Sequence, residues 1–190
     1  MLPIAKASSL SSKMKINVDS EKVGVFSPKH VGFYMKYSFF VVRVLAVPSF
    51  QQFLCWMLKR ENIEEQTVRR VYVKVFPLRR KNGKGLAGNC DVSRGKIRIY
   101  PKSRKFCRVF TQKFDKKTLM MYAGNRARAA LIHELLHLKY AADEQKVRAL
   151  TKAYFFTFTQ SQSVNSSREL CIYTMIFKVR AVKEYPQVSF

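Results

Sequence analysis

The 190-residue chain has little histidine, few acids and no paired cysteine motif. Its four cysteines, Cys55, Cys90, Cys107 and Cys171, stand far apart, and none makes the short C-x-x-C spacing of a zinc knuckle or redox centre. They read as isolated thiols in a reducing, cytoplasmic setting. Twelve acids face 36 lysines and arginines, a formal net charge of +24. Only three histidines occur, His30, His133 and His137, so a site built from three imidazoles would need them all. A clean apolar run is missing too. Tyr37 to Leu58 is long enough to span a bilayer, but Arg43 lies inside it, Pro48 interrupts it, and Gln51 and Gln52 follow. A membrane span is therefore disfavoured, and a membrane-attached form is the weaker alternative.

What is present is enough for one core. Hydrophobic residues make up 47% and aromatics 13%, which excludes a disordered polybasic chain. Met1 to Ser20 is Ser-rich, basic and acid-free until Asp19. It reads as an extension or transit segment outside the core, with Met14 as an alternative start. Phe39 to Val47 reads as a buried strand, and Ser49 to about Glu65 as an amphipathic helix with Ser49 as its N-cap. Val68 to Phe76 alternates as a half-buried strand ended by Pro77. A glycine-marked loop, Arg79 to Gly85, then leads to two short strands, Leu86 to Cys90 and Gly95 to Tyr100.

The charge is concentrated. Between Arg69 and Arg128 there are 19 lysines and arginines against two acids, Asp91 and Asp115. Counterion release makes such a segment attractive to polyanions, so non-specific nucleic-acid contact is expected there. The interleaved aromatics, among them Tyr72, Tyr100 and Phe110, fall mostly where a core needs them.

One constellation points to chemistry. From Thr118 onward, apolar residues recur at helical spacing through Leu119, Ala123, Ala127, Leu131 and Leu138. His133 and His137 lie at i and i+4 in His133-Glu134-Leu135-Leu136-His137, so both imidazoles project from one helix face. That separation suits two corners of a tetrahedral zinc, and Glu134 is placed to act as general base. A catalytic zinc takes a third protein ligand. The candidates are Glu144, Asp143 or a distant carboxylate such as Glu169 or Glu184. Glu144 lies seven residues past His137, about 10 Å along a straight helix. The helix must therefore turn within Lys139 to Ala142, with Asp143 capping a second helix. Val147, Leu150, Tyr154 and Phe158 give that second helix a core stripe. Tyr140 and Tyr154 read as packing residues rather than oxyanion donors. Thr157 to Arg168 reads as a polar linker, and Leu170 to Val182 as a strand.

The hairpin ending in Ile97-Arg98-Ile99-Tyr100-Pro101, the long helix with His133-Glu134-Leu135-Leu136-His137, and Glu144 on the next helix resemble the minigluzincins. These are compact zinc metallopeptidases of archaea within the zincin clan. The likeness covers about Val68 to Phe158. It implies an α+β fold, a small antiparallel or mixed sheet packed on a long active-site helix and a following helix. It implies a catalytic domain over residues 37–158, between an N-terminal extension (1–36) and a linker with C-terminal tail (159–190). It further implies Zn2+ held by His133, His137 and Glu144, with Glu134 as base. The edge strand, here Gly95 to Tyr100 with Ile97, Arg98 and Ile99, would bind a peptide or protein substrate in extended form. A tail carboxylate, Glu169 or Glu184, could occlude the metal and keep the enzyme latent. One position departs from the pattern: four residues after Glu144, where the family often has a small or acidic side chain, stands Arg148. The reading from a different class is a basic nucleic-acid-associated protein whose zinc motif is structural or degenerate.

Overall fold

The computed structural model describes residues 14–20, 27–68, 70–78, 85–161 and 175–176. The fold is α+β. Strand β1 (Ile16–Asp19) is followed by helices α1 (Pro28–Leu45) and α2 (Pro48–Arg60). Strands β2 (Arg70–Lys74), β3 (Gly88–Asp91) and β4 (Lys96–Ile99) come next, and then α3 (Arg104–Lys113), α4 (Lys116–Tyr140) and α5 (Glu144–Ser161). The sheet order is β1-β2-β4-β3. β1 and β4 flank β2 in parallel, and β3 closes the other edge antiparallel to β4.

Alternation sorts the strands into two faces. Val71, Val73, Ile97 and Ile99 are buried and join one core with Val41 and Leu45 of α1, Leu131, Leu135 and Leu136 of α4, and Val147 and Phe155 of α5. Burying each such side chain contributes roughly 1.5–3 kcal/mol, which is why α4 lies across the sheet. Its N-terminus is set by Asp115, whose carboxylate accepts from Thr118 N at 2.6 Å. Arg126 then fastens it from within: its buried guanidinium donates to Tyr100 O at 2.7 Å and Leu86 O at 3.0 Å. Those carbonyls lie beyond the end of β4 and before the start of β3. The clamp thus sets the last turns of α4 against β3.

Several expectations are corrected. Phe39 to Val47 is not a strand; its residues through Leu45 belong to α1, which starts at Pro28 and buries Tyr34, Ser38, Val41 and Leu45 at helical spacing. The apolar run looks strand-like only when its first three turns are left out. α2 is capped at Val47 with Pro48 at its first position, so Ser49 is inside the helix and the helix ends at Arg60. Gln51, buried, donates to Leu45 O at 2.7 Å and so completes the C-terminus of α1. Ile16–Asp19, expected outside the core, is an edge strand of the sheet, its Asp19 bonded to Lys74 Nζ at 2.6 Å. The supposed linker is helical through Ser161, because Phe158 is buried against Phe50 and the Thr157 and Thr159 hydroxyls bond back to helix carbonyls. Of the expected strand Leu170 to Val182, Met175 and Ile176 are described and are helical. Most of the Arg79 to Gly85 loop, Cys171, and the tail carboxylates Glu169 and Glu184 lie outside the described residues.

Among the described residues no single helix is long and apolar enough to cross a membrane. The Tyr37 to Leu58 run is split between α1 and α2, which meet at a 63° bend.

Candidate metal centre

The site forms where α4 gives way to α5. The break carries no glycine. Ala141 adopts φ 43° and ψ −109°, and Asp143 N donates to Tyr140 O at 2.9 Å, closing a tight turn. Asp143 caps α5, its Oδ1 accepting from Lys146 N at 3.0 Å, which leaves Glu144 in the first turn. The expected turn and cap are therefore present, and Asp143 is spent on the helix rather than on a metal.

Folding back brings three side chains together. His133 Nε2 and His137 Nε2 are 3.1 Å apart. Glu144 Oε2 lies 3.3 Å from His137 Nε2, and its Oε1 lies 3.7 Å from His133 Nε2. A tetrahedral metal with bonds near 2.0–2.2 Å holds its ligand atoms about 3.4 Å apart. The three separations bracket that value. Among the described residues this is the one group of His, Cys, Asp or Glu side chains able to hold a metal ion. His30 is elsewhere, in the first turn of α1 with its ring against Tyr34.

The far side of each imidazole fixes its tautomer. His137 Nδ1 is 2.6 Å from Ala141 O, a group that only accepts, so Nδ1 carries the proton. Thr151 Oγ1 donates to Val147 O at 2.6 Å and, with its hydrogen spent, accepts from His133 Nδ1 at 3.3 Å. Both Nε2 atoms then present lone pairs to each other and to a carboxylate. Three such ligand atoms turned toward one point could hold a metal ion between them. Hydrogen bonds of this kind to the outer nitrogen orient metal-binding histidines generally.

Arg148 Nε donates to Glu144 Oε1 at 2.7 Å, so Oε2 is the oxygen left for a metal. Burial pushes the Glu144 carboxyl up, but the Arg148 hydrogen bond and charge, with the His133 and His137 imidazoles polarised toward it, outweigh burial and leave it below the ordinary range. Arg148 therefore orients the Glu144 carboxylate, the candidate third ligand.

Glu134 is buried on the same helix and reaches toward β3. A Cβ at Gly88 would lie 2.7 Å from both Glu134 Cγ and Oε1, so any larger residue would push this side chain from where it lies. The next inward-facing residue of β3, Cys90, has its thiol pushed up to about 12 by burial and by the Glu134 and Asp91 charges. It is no nucleophile.

The expected substrate strand is corrected. Gly95 to Tyr100 is not an edge: β4 pairs with β2 on one side and β3 on the other. Ile97 and Ile99 are core residues under α4, and Arg98 stands on the opposite face of the sheet. The edge beside Glu134 is β3. Tyr140 and Tyr154 both donate to Glu61, as packing residues would, and face away from oxyanion work. Thr151 and Gly88 escaped the sequence reading, although each left a signal. Glu144, Arg148 and Thr151 share a helix face at four- and three-residue steps, and a glycine within a strand marks a close approach. Comparison with protein families, curated proteins and solved structures finds no match for this chain.

Proposed function

We propose that this protein is a zinc-dependent peptidase of the gluzincin type. The observation that carries the reading is the convergence of His133 Nε2, His137 Nε2 and the Glu144 carboxylate, whose ligand atoms all lie within 4.8 Å of one another. Two imidazoles and a carboxylate in that geometry suit zinc among the common metals. When bound, zinc would polarise the scissile carbonyl and acidify the attacking water. Glu134, adjacent to the first histidine, takes that water's proton and returns it to the leaving nitrogen. Burial over Gly88 keeps its carboxylate in one place, which general-base work needs.

The substrate's place follows from the sheet. Among the described residues β3 is paired on one side only, so an extended polypeptide can add along Gly88 to Asp91 by main-chain hydrogen bonds. Gly88 keeps that strand close to Glu134, so an added peptide would pass beside the general base.

The test is metal analysis with peptide hydrolysis on the purified full-length chain. One zinc per chain is expected, retained in Glu134→Gln and lost in His137→Ala, with hydrolysis of a quenched fluorescent peptide library lost in both. A wild-type chain that takes up no metal, or a Glu134→Gln variant that still cleaves, overturns the proposal.

A further inference from the structure

We propose that the open face of the sheet is a docking surface for the sugar-phosphate backbone of a single-stranded nucleic acid. The alternation that sends Val71, Val73, Ile97 and Ile99 into the core sends Arg70, Tyr72, Lys96 and Arg98 to the opposite face. The pairing sets Arg70 beside Lys96 and Tyr72 beside Arg98. Neighbouring strands lie about 4.8 Å apart and alternate residues about 6.6 Å. The backbone positions of the three cations thus lie about 5 to 8 Å from one another.

Their anchors are neutral. Lys96 Nζ lies 4.5 Å over the Tyr72 ring, and Arg70 Nη1 donates to Tyr72 Oη at 3.3 Å. Arg98 Nη1 donates to Asn89 Oδ1 at 3.3 Å. A carboxylate anchor would cancel the charge; a phenol ring and an amide orient it and leave it in force. Of the described acids on this face, Asp19 bonds Lys74 at 2.6 Å, and Asp91, in register beside Lys96 and felt by Arg98, bonds Ser93 and Arg94, so the cations outnumber the acids without being wholly free of them. Among the described residues no carboxylate lies within ion-pair distance of Arg70, Lys96 or Arg98. The Tyr72 ring is already used by Lys96, so bases are not read and binding is independent of sequence. A short row of cations on a flat sheet follows one strand of phosphates rather than the two of a duplex.

The metal site plays no part in this, and the test reads binding without turnover. Anisotropy of a fluorescent 20-nucleotide thymidine oligomer is followed across salt concentrations. Each phosphate contact on a single strand contributes about 0.7 to the slope of log affinity against log salt. The triple variant Arg70→Gln, Lys96→Gln, Arg98→Gln is expected to reduce that slope by about 2. A control triple on α3, Lys105→Gln, Arg108→Gln, Lys113→Gln, removes equal charge from another exposed surface and is expected to leave the slope unchanged. Equal losses in both triples would mean diffuse attraction by the whole chain and would overturn the proposal, as would an unchanged slope in the sheet triple. A duplex bound more tightly than the single strand, or polyglutamate competing as well as the oligomer at equal charge, also overturns it.

Discussion

Two carboxylates fasten the junction of α4 and α5, and they are served differently. Glu61, at the C-terminal cap of α2, is buried and receives the hydroxyls of Tyr140, at 2.6 Å, and Tyr154. Lys139 adds its ammonium to the same residue, donating to the Glu61 carbonyl and carboxylate. Burial pushes the Glu61 carboxyl up, but the bonds from Tyr140, Tyr154 and Lys139 outweigh it and hold it below the ordinary range. Glu144, on the other side of the turn, receives Arg148 and otherwise, among the described residues, faces the two imidazole Nε2 atoms. Around Glu61 the acceptors are met by donors, which describes a structural knot. Around Glu144 the described contacts bring imidazole nitrogens rather than hydroxyls, a set that could hold a metal ion. The count of donors separates scaffold from site where burial and charge alone would not.

The sharpest way to break this contrast is to remove Glu61. Glu61→Ala strands the Tyr154 hydroxyl and removes the polar link from α2 to both later helices while leaving their aromatic packing, and is expected to cost about 3 kcal/mol in urea unfolding at pH 7. Metal uptake by the folded fraction should not change. Because the folded carboxyl sits below its unfolded value of about 4.3, its contribution is complete above that pH and is lost as pH falls through the lower, folded value. Glu61→Gln should therefore flatten the acid side of the stability profile. If either variant also lost metal affinity, the knot and the site would be one unit and the contrast would fail.

Thr151 sharpens the same contrast from the other side. Thr151→Val keeps the volume but removes the acceptor for His133 Nδ1. Chelator competition should show metal bound 10–100-fold more weakly, the usual cost of losing such an outer contact. The unfolding midpoint should barely move. Unchanged metal affinity would mean that the His133 ring is held by packing alone.

The site was more legible than the frame around it. His133, Glu134 and His137 announce themselves by spacing on one helix, and the need to bring Glu144 back forces the turn that Ala141 makes and Asp143 caps. These are local relations. What the spacing hides is strand order and where a long helix begins. Ile16–Asp19 pairs with β2 in parallel, and no turn signal links partners so distant in the chain. β4 looked like an edge because its alternation is clean, yet alternation reports which face is buried and says nothing about strand order. The apolar stretch of α1 is rich in β-branched and aromatic residues, and a short window cannot separate a buried strand from a helix; only its start at Pro28 decides.

The smallest expected effect concerns the turn itself, which joins the knot to the site. Ala141 holds φ 43° and ψ −109°, a region that costs a residue with a Cβ about 1–3 kcal/mol. Ala141→Gly removes that strain but adds freedom to the unfolded chain, worth about 0.5–1 kcal/mol. The balance should be a gain of about 1 kcal/mol or less. Glycine keeps the carbonyl that accepts from His137 Nδ1, so metal affinity should stay level. Level affinity with a raised unfolding midpoint would mean that the Asp143 cap and the Glu61 knot set this backbone from either side. Weaker metal binding in the stabilised variant would mean that the strained alanine itself aims the carbonyl, and the boundary between scaffold and site would then run through a single residue.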